Sequence, residues 1–109
     1  MSGRFRVLYS PEALDDLRAI YTHIAFRLGA SGTAKRQLDR IRREIRSLCE
    51  LPERYEAVDW EPWASMGMRR VPVDRFLVYY LVDHEAQLVS IVRVFYGGRD
   101  VPGIVRAEN

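Results

Sequence analysis

The sequence predicts a single α+β domain in which a strand and an antiparallel hairpin of two helices precede a three-stranded antiparallel meander. Two amphipathic patterns with helical spacing fill the first half of the chain, and three runs rich in Val, Ile, Phe and Tyr fill much of the second half. The connections between these runs are two and four residues long, short enough to make neighbouring strands antiparallel. We expect the helices to cover one face of the resulting sheet.

Length and composition fit one domain over residues 1–109, with a loosely held tail at about 101–109. The chain is 48% hydrophobic and 29% charged, with a formal net charge of +2, which is ordinary for a folded soluble protein. No apolar run approaches the roughly 20 residues of a membrane span, and no secretory signal is recognisable. We therefore expect a cytoplasmic protein without membrane contacts. Cys49 is the single cysteine, and no Cys/His grouping has metal-ligand spacing, so we expect neither metal nor cofactor.

The first half of the chain is typical of one strand and two helices. Residues Arg4–Tyr9 alternate charged and apolar side chains, as a strand with one solvated face does. Ser10 is a good N-cap before a proline at the first helical position, and Gly29 ends this helix. The second helix begins at residues 31–33 and ends before Pro52. The apolar stripes that define the helices are Ala13, Leu14, Leu17, Ile20, Tyr21, Ile24 and Leu28, and then Ala34, Leu38, Ile41, Ile45 and Leu48.

The second helix is basic outside its apolar stripe. A basic helix can bind nucleic acid, but acidic residues are interleaved with the basic ones, so a solvated surface is the favoured interpretation. The basic residues are Lys35, Arg36, Arg40, Arg42, Arg43 and Arg46.

The second half contains the runs Met68–Val73, Phe76–Val82 and Gln87–Tyr96. Pro72 cannot donate to a ladder, which predicts that the first run is an edge strand, open to strand addition by another chain. The middle run is apolar on both faces, so the face away from the helices needs a cover from a loop, the tail or a partner. The loop 53–67 is expected to pack through its tryptophans.

Strict alternation in the third run puts Arg93 on one face with Val89, Ile91 and Phe95. Arg93 would then interrupt an otherwise apolar surface. Two structural explanations exist for such an arginine: its head group reaches solvent by snorkelling, or it pairs with a carboxylate from the helices.

Four passages follow one another in an order that is specific for so short a chain: RVLYSPEALDDLRAIYTHIA, LCELPERY, MRRVPVDRFLVYYLVD and VSIVRVFYGGRD. Together, from about Arg4 to Asp100, they resemble the RelE/ParE superfamily of bacterial toxins. The resemblance implies a β-α-α-β-β-β fold and the toxin of a type II toxin-antitoxin module, associated with growth inhibition and plasmid stabilisation and held inactive by a cognate antitoxin. RelE-like members cut messenger RNA in the A site of the 70S ribosome without metal, whereas ParE-like members poison DNA gyrase.

Metal-free RNA cleavage needs a base for the 2′-hydroxyl, cations for the phosphorane charge and an acid for the leaving oxygen. The resemblance implies that such groups come from the later strands and the C-terminal segment. The candidates in this chain are Arg69, Arg70, Arg93, Tyr96 and Arg99.

The end of the chain departs from the nuclease pattern. Nuclease members often carry His, Lys or Arg where this chain has Gly97 and Gly98, and a later Tyr that is missing after Asp100. His23 and His84 fall outside the expected nuclease site. Gyrase poisoning without firm catalytic residues is therefore the favoured activity. A ribosome-dependent mRNA endonuclease is the alternative, and an inactive toxin fold that only binds its antitoxin is a further one.

We expect the antitoxin to cover the outer sheet face and the edge at residues 68–73, because the middle strand has an apolar excess and the edge is marked by a proline. The basic residues of the chain suit an acidic antitoxin segment. The expected antitoxin-binding residues are Met68, Arg70, Pro72, Phe76, Val78 and Tyr80.

Overall fold

A computed structural model describes residues 4–97 of the chain. The secondary structure consists of β1 Arg6–Tyr9, α1 Pro11–Thr22, α2 Ser31–Ser47, β2 Arg69–Val73, β3 Phe76–Asp83 and β4 Leu88–Tyr96. The expected α+β fold with a helix hairpin and an antiparallel meander is confirmed. Arg99 and the tail at 101–109 lie outside the described residues, so what we expect of them stays a prediction. No helix in the described part is long and apolar enough to cross a membrane.

The four strands form one mixed sheet in the order β1-β4-β3-β2. The meander strands are antiparallel. Strand β1 pairs in parallel with the first residues of β4, placing Arg6 opposite Leu88 and Tyr9 opposite Ile91. The predicted position of β2 at an edge is confirmed. Both β3 and β4 are interior strands, since β1 returns to the far side of the meander.

Helix α1 begins as its sequence predicts but ends differently. The Ser10 hydroxyl accepts a hydrogen bond from the Ala13 N–H at 2.9 Å, and the same hydroxyl donates to the Val92 carbonyl at 2.8 Å, so the cap ties the helix to β4. The regular helix stops at Thr22, and residues 23–27 form a π-helical turn, which was not expected. Gly29, with φ of 66°, then turns the chain as predicted.

The predicted α2 stripe and part of the predicted α1 stripe pack against one face of the sheet, whereas Leu14, Tyr21 and Leu28 of the α1 stripe are exposed. Leu17 on α1 and Ile41 and Ile45 on α2 are almost completely buried there. The sheet contributes alternate residues of β3, since residues 76, 78, 80 and 82 all face the helices. This layer is the main hydrophobic core.

A β-bulge in β4 overturns the strict alternation expected for that strand. The register with β3 shifts between Tyr79 and Tyr80, which makes Val92 an extra residue on β4. Ile91 therefore packs beneath the helices, whereas Phe95 packs in a second cluster on the opposite face. The single apolar face interrupted by Arg93 was a wrong interpretation, because the bulge divides those residues between two faces.

The outer face of the sheet is covered largely by the loop that precedes β2. Trp63 is 9% exposed and packs in the second cluster with Met68, Tyr79 and Phe95. The Trp60 ring lies edge-on to Tyr79, with ring centres 6.0 Å apart. Of the three covers that the sequence left open, the structure shows the loop, packed through its tryptophans as predicted.

Tyr80 should make the protein sensitive to alkali. Its side chain is fully buried, its hydroxyl donates to the Pro52 carbonyl at 2.6 Å, and burial raises the pKa of Tyr80 to about 12. In the unfolded chain the phenol ionises near pH 10, so between pH 10 and 12 the unfolded state binds fewer protons and stability falls as pH rises. We expect a loss of about 2–3 kcal/mol over this window, measured by urea unfolding.

Tyr80→Phe should remove the part of the alkaline loss that Tyr80 causes and so make the decline shallower, whatever the substitution costs at pH 7. Tyr96→Phe is the matched control, since the Tyr96 side chain is 47% exposed; it should keep the wild-type pH dependence. An equally steep alkaline decline in Tyr80→Phe would contradict the prediction.

Candidate functional site

Four of the five nuclease candidates lie in the described part of the chain, and the sheet separates them. Arg69 lies on the same face of β2 as Val71 and Val73, which pack beneath the helices, and Tyr96 lines the same side. Arg70 points to the outer face by alternation. The Arg93 guanidinium carbon lies 4.4 Å from the ring centre of Phe95, a residue of the outer cluster. These four groups therefore do not converge on one phosphate.

Arg93 is held by a carboxylate from helix α1. Its Nε and one terminal nitrogen donate to the two carboxylate oxygens of Asp16 at 2.8 and 3.0 Å, and Asp16 also accepts the Val94 N–H at 2.9 Å. Both charged side chains are only 13% exposed. The pair seals the edge of β4 where β1 has ended, which is the structural role that the sequence left open for Arg93.

The other two sheet arginines also have structural contacts. The Arg69 guanidinium donates to the Tyr55 carbonyl at 2.7 Å, and Arg70 lies 3.7 Å from a carboxylate oxygen of Glu56. Burial raises the pKa of Tyr79 although Arg70 beside it acts in the opposite direction. Tyr79 is therefore neutral at physiological pH and is not a ready base.

A groove of about 810 Å³ opens between the helix hairpin and the ends of β3 and β4. Its rim is fixed by the turn between β2 and β3, where Asp74 accepts hydrogen bonds from Gln37 at 2.9 Å and from Arg40 at 2.8 Å. These contacts lower the pKa of Asp74 and attach the turn to α2. Apolar side chains form much of the surface: Ala19, Ile20, Ile24, Leu28, Phe76 and Val94.

The groove brings together Tyr96, His23 and Arg75, a combination that the sequence reasoning missed. His23 follows Ile20 by three residues and precedes Ile24. Residues at this spacing lie on the same side of a helix, so the sequence could have placed His23 beside the apolar stripe. Arg75 approaches because the Gly97 N–H donates to the Arg75 carbonyl at 2.8 Å. A Cβ on Gly97 would lie 3.2 Å from that oxygen, so this close approach favours glycine.

The residues expected to bind an antitoxin differ in accessibility. Met68, Val78 and Tyr80 are fully buried in the protein's own clusters, and their side chains cannot reach a partner in this conformation. Pro72 is exposed, and Arg70 and Phe76 are partly exposed.

The outer edge of β2 is partly occupied by the chain itself. The Val58 N–H donates to the Met68 carbonyl at 2.9 Å and the Arg70 N–H donates to the Glu56 carbonyl at 3.0 Å. Pro72 holds the next outward position by alternation and has no N–H to offer. Strand addition at this edge would therefore find few free donors.

The outer edge of β1 is more open. The Arg6 N–H donates to the Gln87 carbonyl and the Ser10 N–H donates to the Ile91 carbonyl, each at 2.9 Å. Even-numbered residues therefore pair with β4, and alternation directs the backbone groups of Val7 and Tyr9 away from the sheet. The backbone N–H and C=O groups of Val7 and Tyr9 can therefore pair with an added strand at this edge.

The described residues contain no group of three or more His, Cys, Asp or Glu side chains placed to hold a metal ion. Cys49 is a free thiol. Its sulfur accepts a hydrogen bond from Arg4 at 3.4 Å.

Comparison with known proteins places the fold and the family. The chain is similar to a chromosomal ParDE toxin-antitoxin system from P. aeruginosa, with a TM-score of 0.70, 20% identity and coverage of 87% of this chain and 98% of the other. It is also similar to the RelBE2 toxin-antitoxin complex from Mycobacterium tuberculosis, with a TM-score of 0.60, 18% identity and coverage of 88% and 94%. For the archaeal RelE-RelB complex from Pyrococcus horikoshii OT3 the TM-score is 0.61, with 16% identity and coverage of 88% and 98%.

No curated protein matches the sequence. Residues 7–101 match the model of the family described as the ParE toxin of the type II toxin-antitoxin system parDE. This match spans most of the chain, including both helices, β2 to β4, and β1 from its second residue. The chain therefore belongs to the ParE toxin family of type II toxin-antitoxin systems, within the RelE/ParE superfamily that its sequence resembles.

Proposed function

We propose that this toxin acts by poisoning DNA gyrase and not by cutting RNA with its sheet arginines. The separation of the candidate residues carries the proposal: Arg93 is committed to Asp16 near the edge of β4, while Arg69 and Arg70 point to opposite faces. A phosphorane is stabilised by preorganised donors that converge on its oxygens, and these arginines do not converge. Membership of the ParE family supports the same target.

The direct test is a supercoiling assay with purified full-length toxin, DNA gyrase and relaxed plasmid. We expect loss of supercoiling and accumulation of linear plasmid after denaturation of trapped cleavage complexes. Relaxation by a type I topoisomerase should be unaffected, which controls for non-specific DNA binding. Unimpaired supercoiling at about tenfold molar excess of toxin over gyrase would refute gyrase as the target.

Expression in a bacterium separates an active toxin from an inactive fold. Without antitoxin, the active toxin should stop growth and induce the DNA damage response. Coexpression of the antitoxin should restore growth. Unhindered growth at a confirmed level of folded protein would identify a module that only binds its antitoxin.

We also propose that a cognate antitoxin neutralises the toxin by inserting an amphipathic segment into the groove between the helix hairpin and the sheet. The groove supplies the apolar floor that such a segment needs, and Phe76 at its edge is within direct reach. An extended continuation of the antitoxin has more free backbone groups along β1, at Val7 and Tyr9, than along β2. At the β2 edge, the accessible contacts are Arg70 and Pro72.

Amide hydrogen exchange with and without antitoxin tests these contacts. We expect protection to rise at residues 20–28 beside the groove and at residues 7–9 on the β1 edge. Antitoxin contact with the outer sheet face and with the edge at residues 68–73 predicts an additional rise at residues 68–82, most visible near Pro72. Unchanged exchange in all three segments would contradict antitoxin binding at these surfaces.

One observation favours the second candidate activity, ribosome-dependent mRNA cleavage. The groove places His23, Arg75 and Tyr96 around one space, and these residue types can serve as base, cation and acid. Primer extension on translating ribosomes should then show cuts in the A site that His23→Ala or Tyr96→Phe abolishes. His84→Ala is the control, since His84 lies in the turn between β3 and β4 and pairs with Glu53. An uncut message with wild-type toxin would exclude this activity.

A further inference from the structure

Helix α2 presents an exposed surface that contains no apolar side chain. Its apolar residues Ala34, Leu38, Ile41 and Ile45 are all buried. Every other residue between Ser31 and Ser47 is polar or glycine. The surface is therefore suited to water or to a charged ligand, and lacks the apolar anchors on which protein interfaces depend.

Most of the basic side chains on this surface lack an acidic partner. Among the described residues, no carboxylate lies within ion-pair distance of five of them. They are Lys35, Arg36, Arg42, Arg43 and Arg46, and all five are exposed.

The acids interleaved along α2 do little to neutralise these cations. Glu44 accepts a hydrogen bond from the Tyr55 hydroxyl and is partly buried. Arg40 pairs across to Asp74 on the β2–β3 turn at 2.8 Å and is the α2 cation with an acidic partner among residues 4–97. Asp39 is thus the remaining acid on the exposed surface of α2. The sequence alone favoured a solvated surface for this basic helix, and these contacts leave that surface with a net positive charge.

We propose that the outer surface of α2 binds the phosphate backbone of a nucleic acid duplex without reading its sequence. Protein surfaces that bind nucleic acid are polar and strongly positive, as the outer surface of α2 is. An acidic protein partner would need apolar anchors, and this surface of α2 has none. Four of the five unpaired cations are arginines, whose planar guanidinium suits phosphate oxygens. This proposal is independent of the target proposed for the toxin.

The length of α2 matches the spacing of several consecutive phosphates along a duplex. The 17 residues of α2 span about 25 Å, which corresponds to roughly seven phosphates along one strand of a duplex. Arg42 and Arg46 are one turn apart, and Arg43 flanks them on the adjacent row, so consecutive turns can meet consecutive phosphates. Duplex DNA and duplex RNA share this chemistry and are separated by experiment.

The test is fluorescence anisotropy of labelled duplex DNA and duplex RNA of equal length, titrated with the full-length toxin free of antitoxin at several salt concentrations. We expect Arg42→Gln/Arg43→Gln/Arg46→Gln to weaken binding at least tenfold. The slope of log affinity against log salt should fall by about 2–3, because each phosphate contact contributes about 0.9. Asp39→Asn should tighten binding, since it removes the acid within the surface.

Arg18→Gln is a single-charge comparison. Arg18 lines the cleft between α1 and α2 together with Lys35 and Arg42, but it pairs with Asp15 at 2.7 Å, so its loss should weaken binding far less than the triple variant does. Binding of one duplex type but not the other supports the proposal and identifies the source of the phosphates. Absence of binding to both, an unchanged affinity of the triple variant, or equal competition by polyglutamate at matched charge would overturn it. Circular dichroism establishes that each variant is folded.

Discussion

Asp16→Ala should destabilise the toxin by about 3 kcal/mol, because removal of one member of a poorly exposed ion pair leaves its partner charge in a site built for a carboxylate. Asp16 accepts two hydrogen bonds from Arg93 and one from the Val94 N–H. All three are lost together, and a backbone donor of β4 loses its acceptor. For a domain of this size we expect the melting temperature to fall by roughly 12–24 °C.

Asp15→Ala is the matched control for this prediction. It is the same substitution one residue earlier, but Asp15 and its partner Arg18 are 74% and 73% exposed, so the cost should stay under about 1 kcal/mol. Arg93→Met in the Asp16→Ala background should recover part of the lost stability, because two apolar side chains are better tolerated at this site than a single unpaired charge. Equal stability of Asp15→Ala and Asp16→Ala would contradict the assigned role of the pair.

The ion pair between Asp16 and Arg93 also affects the groove between the helix hairpin and the sheet. Asp16 lies on the groove wall as well as beneath β4, so its loss should loosen the β4 end that carries Tyr96. Arg93→Met leaves Asp16 without its partner and should also lower stability. If Arg93 acted on RNA, this variant would lose more cleavage activity than the loss of folded protein explains. We expect instead a loss of activity in proportion to the loss of folded protein.

The fold could be predicted from local signals because its elements are local. Two short connections determine the meander, helical spacing defines both helices, and Pro72 marks an edge. The parallel pairing of β1 with β4 joins residues about 80 positions apart, and no local pattern specifies such a contact. The π-helical turn at residues 23–27 likewise has no signal in the stripe, which continues through it.

The candidate site was less predictable, since it depends on which face each side chain occupies. One extra residue, Val92, moves Phe95 to the face opposite Ile91, and strict alternation cannot anticipate that shift. Asp16 and Arg93 are 77 residues apart. The sequence could therefore suggest that Arg93 pairs with a carboxylate, but it could not identify that carboxylate as Asp16. His23 and Arg75 come together only after the hairpin lies across the sheet.

Leu17→Ala tests the contact between helix hairpin and sheet on which every proposed surface depends. Leu17 is 2% exposed in the main core, and truncation there should cost about 3 kcal/mol in lost transfer energy and residual cavity. We expect a lower urea midpoint with an unchanged slope and a matching loss of growth inhibition. Coexpressed antitoxin should recover much of the folded protein, because a ligand that binds only the native state stabilises it by mass action.

Leu14→Ala provides the comparison that separates packing from toxicity. It is the same substitution on the same helix, but Leu14 is 37% exposed and lies over the shallow cleft between α1 and α2, so it should cost under about 1 kcal/mol. Toxicity should persist in this variant. If Leu14→Ala abolished growth inhibition while remaining as stable as the wild type, the outer surface of the hairpin would itself contact the cellular target. If Leu17→Ala were as stable as Leu14→Ala, the hairpin could not be packed on the sheet as described, and the proposal that an antitoxin binds in the groove between them would lose its basis.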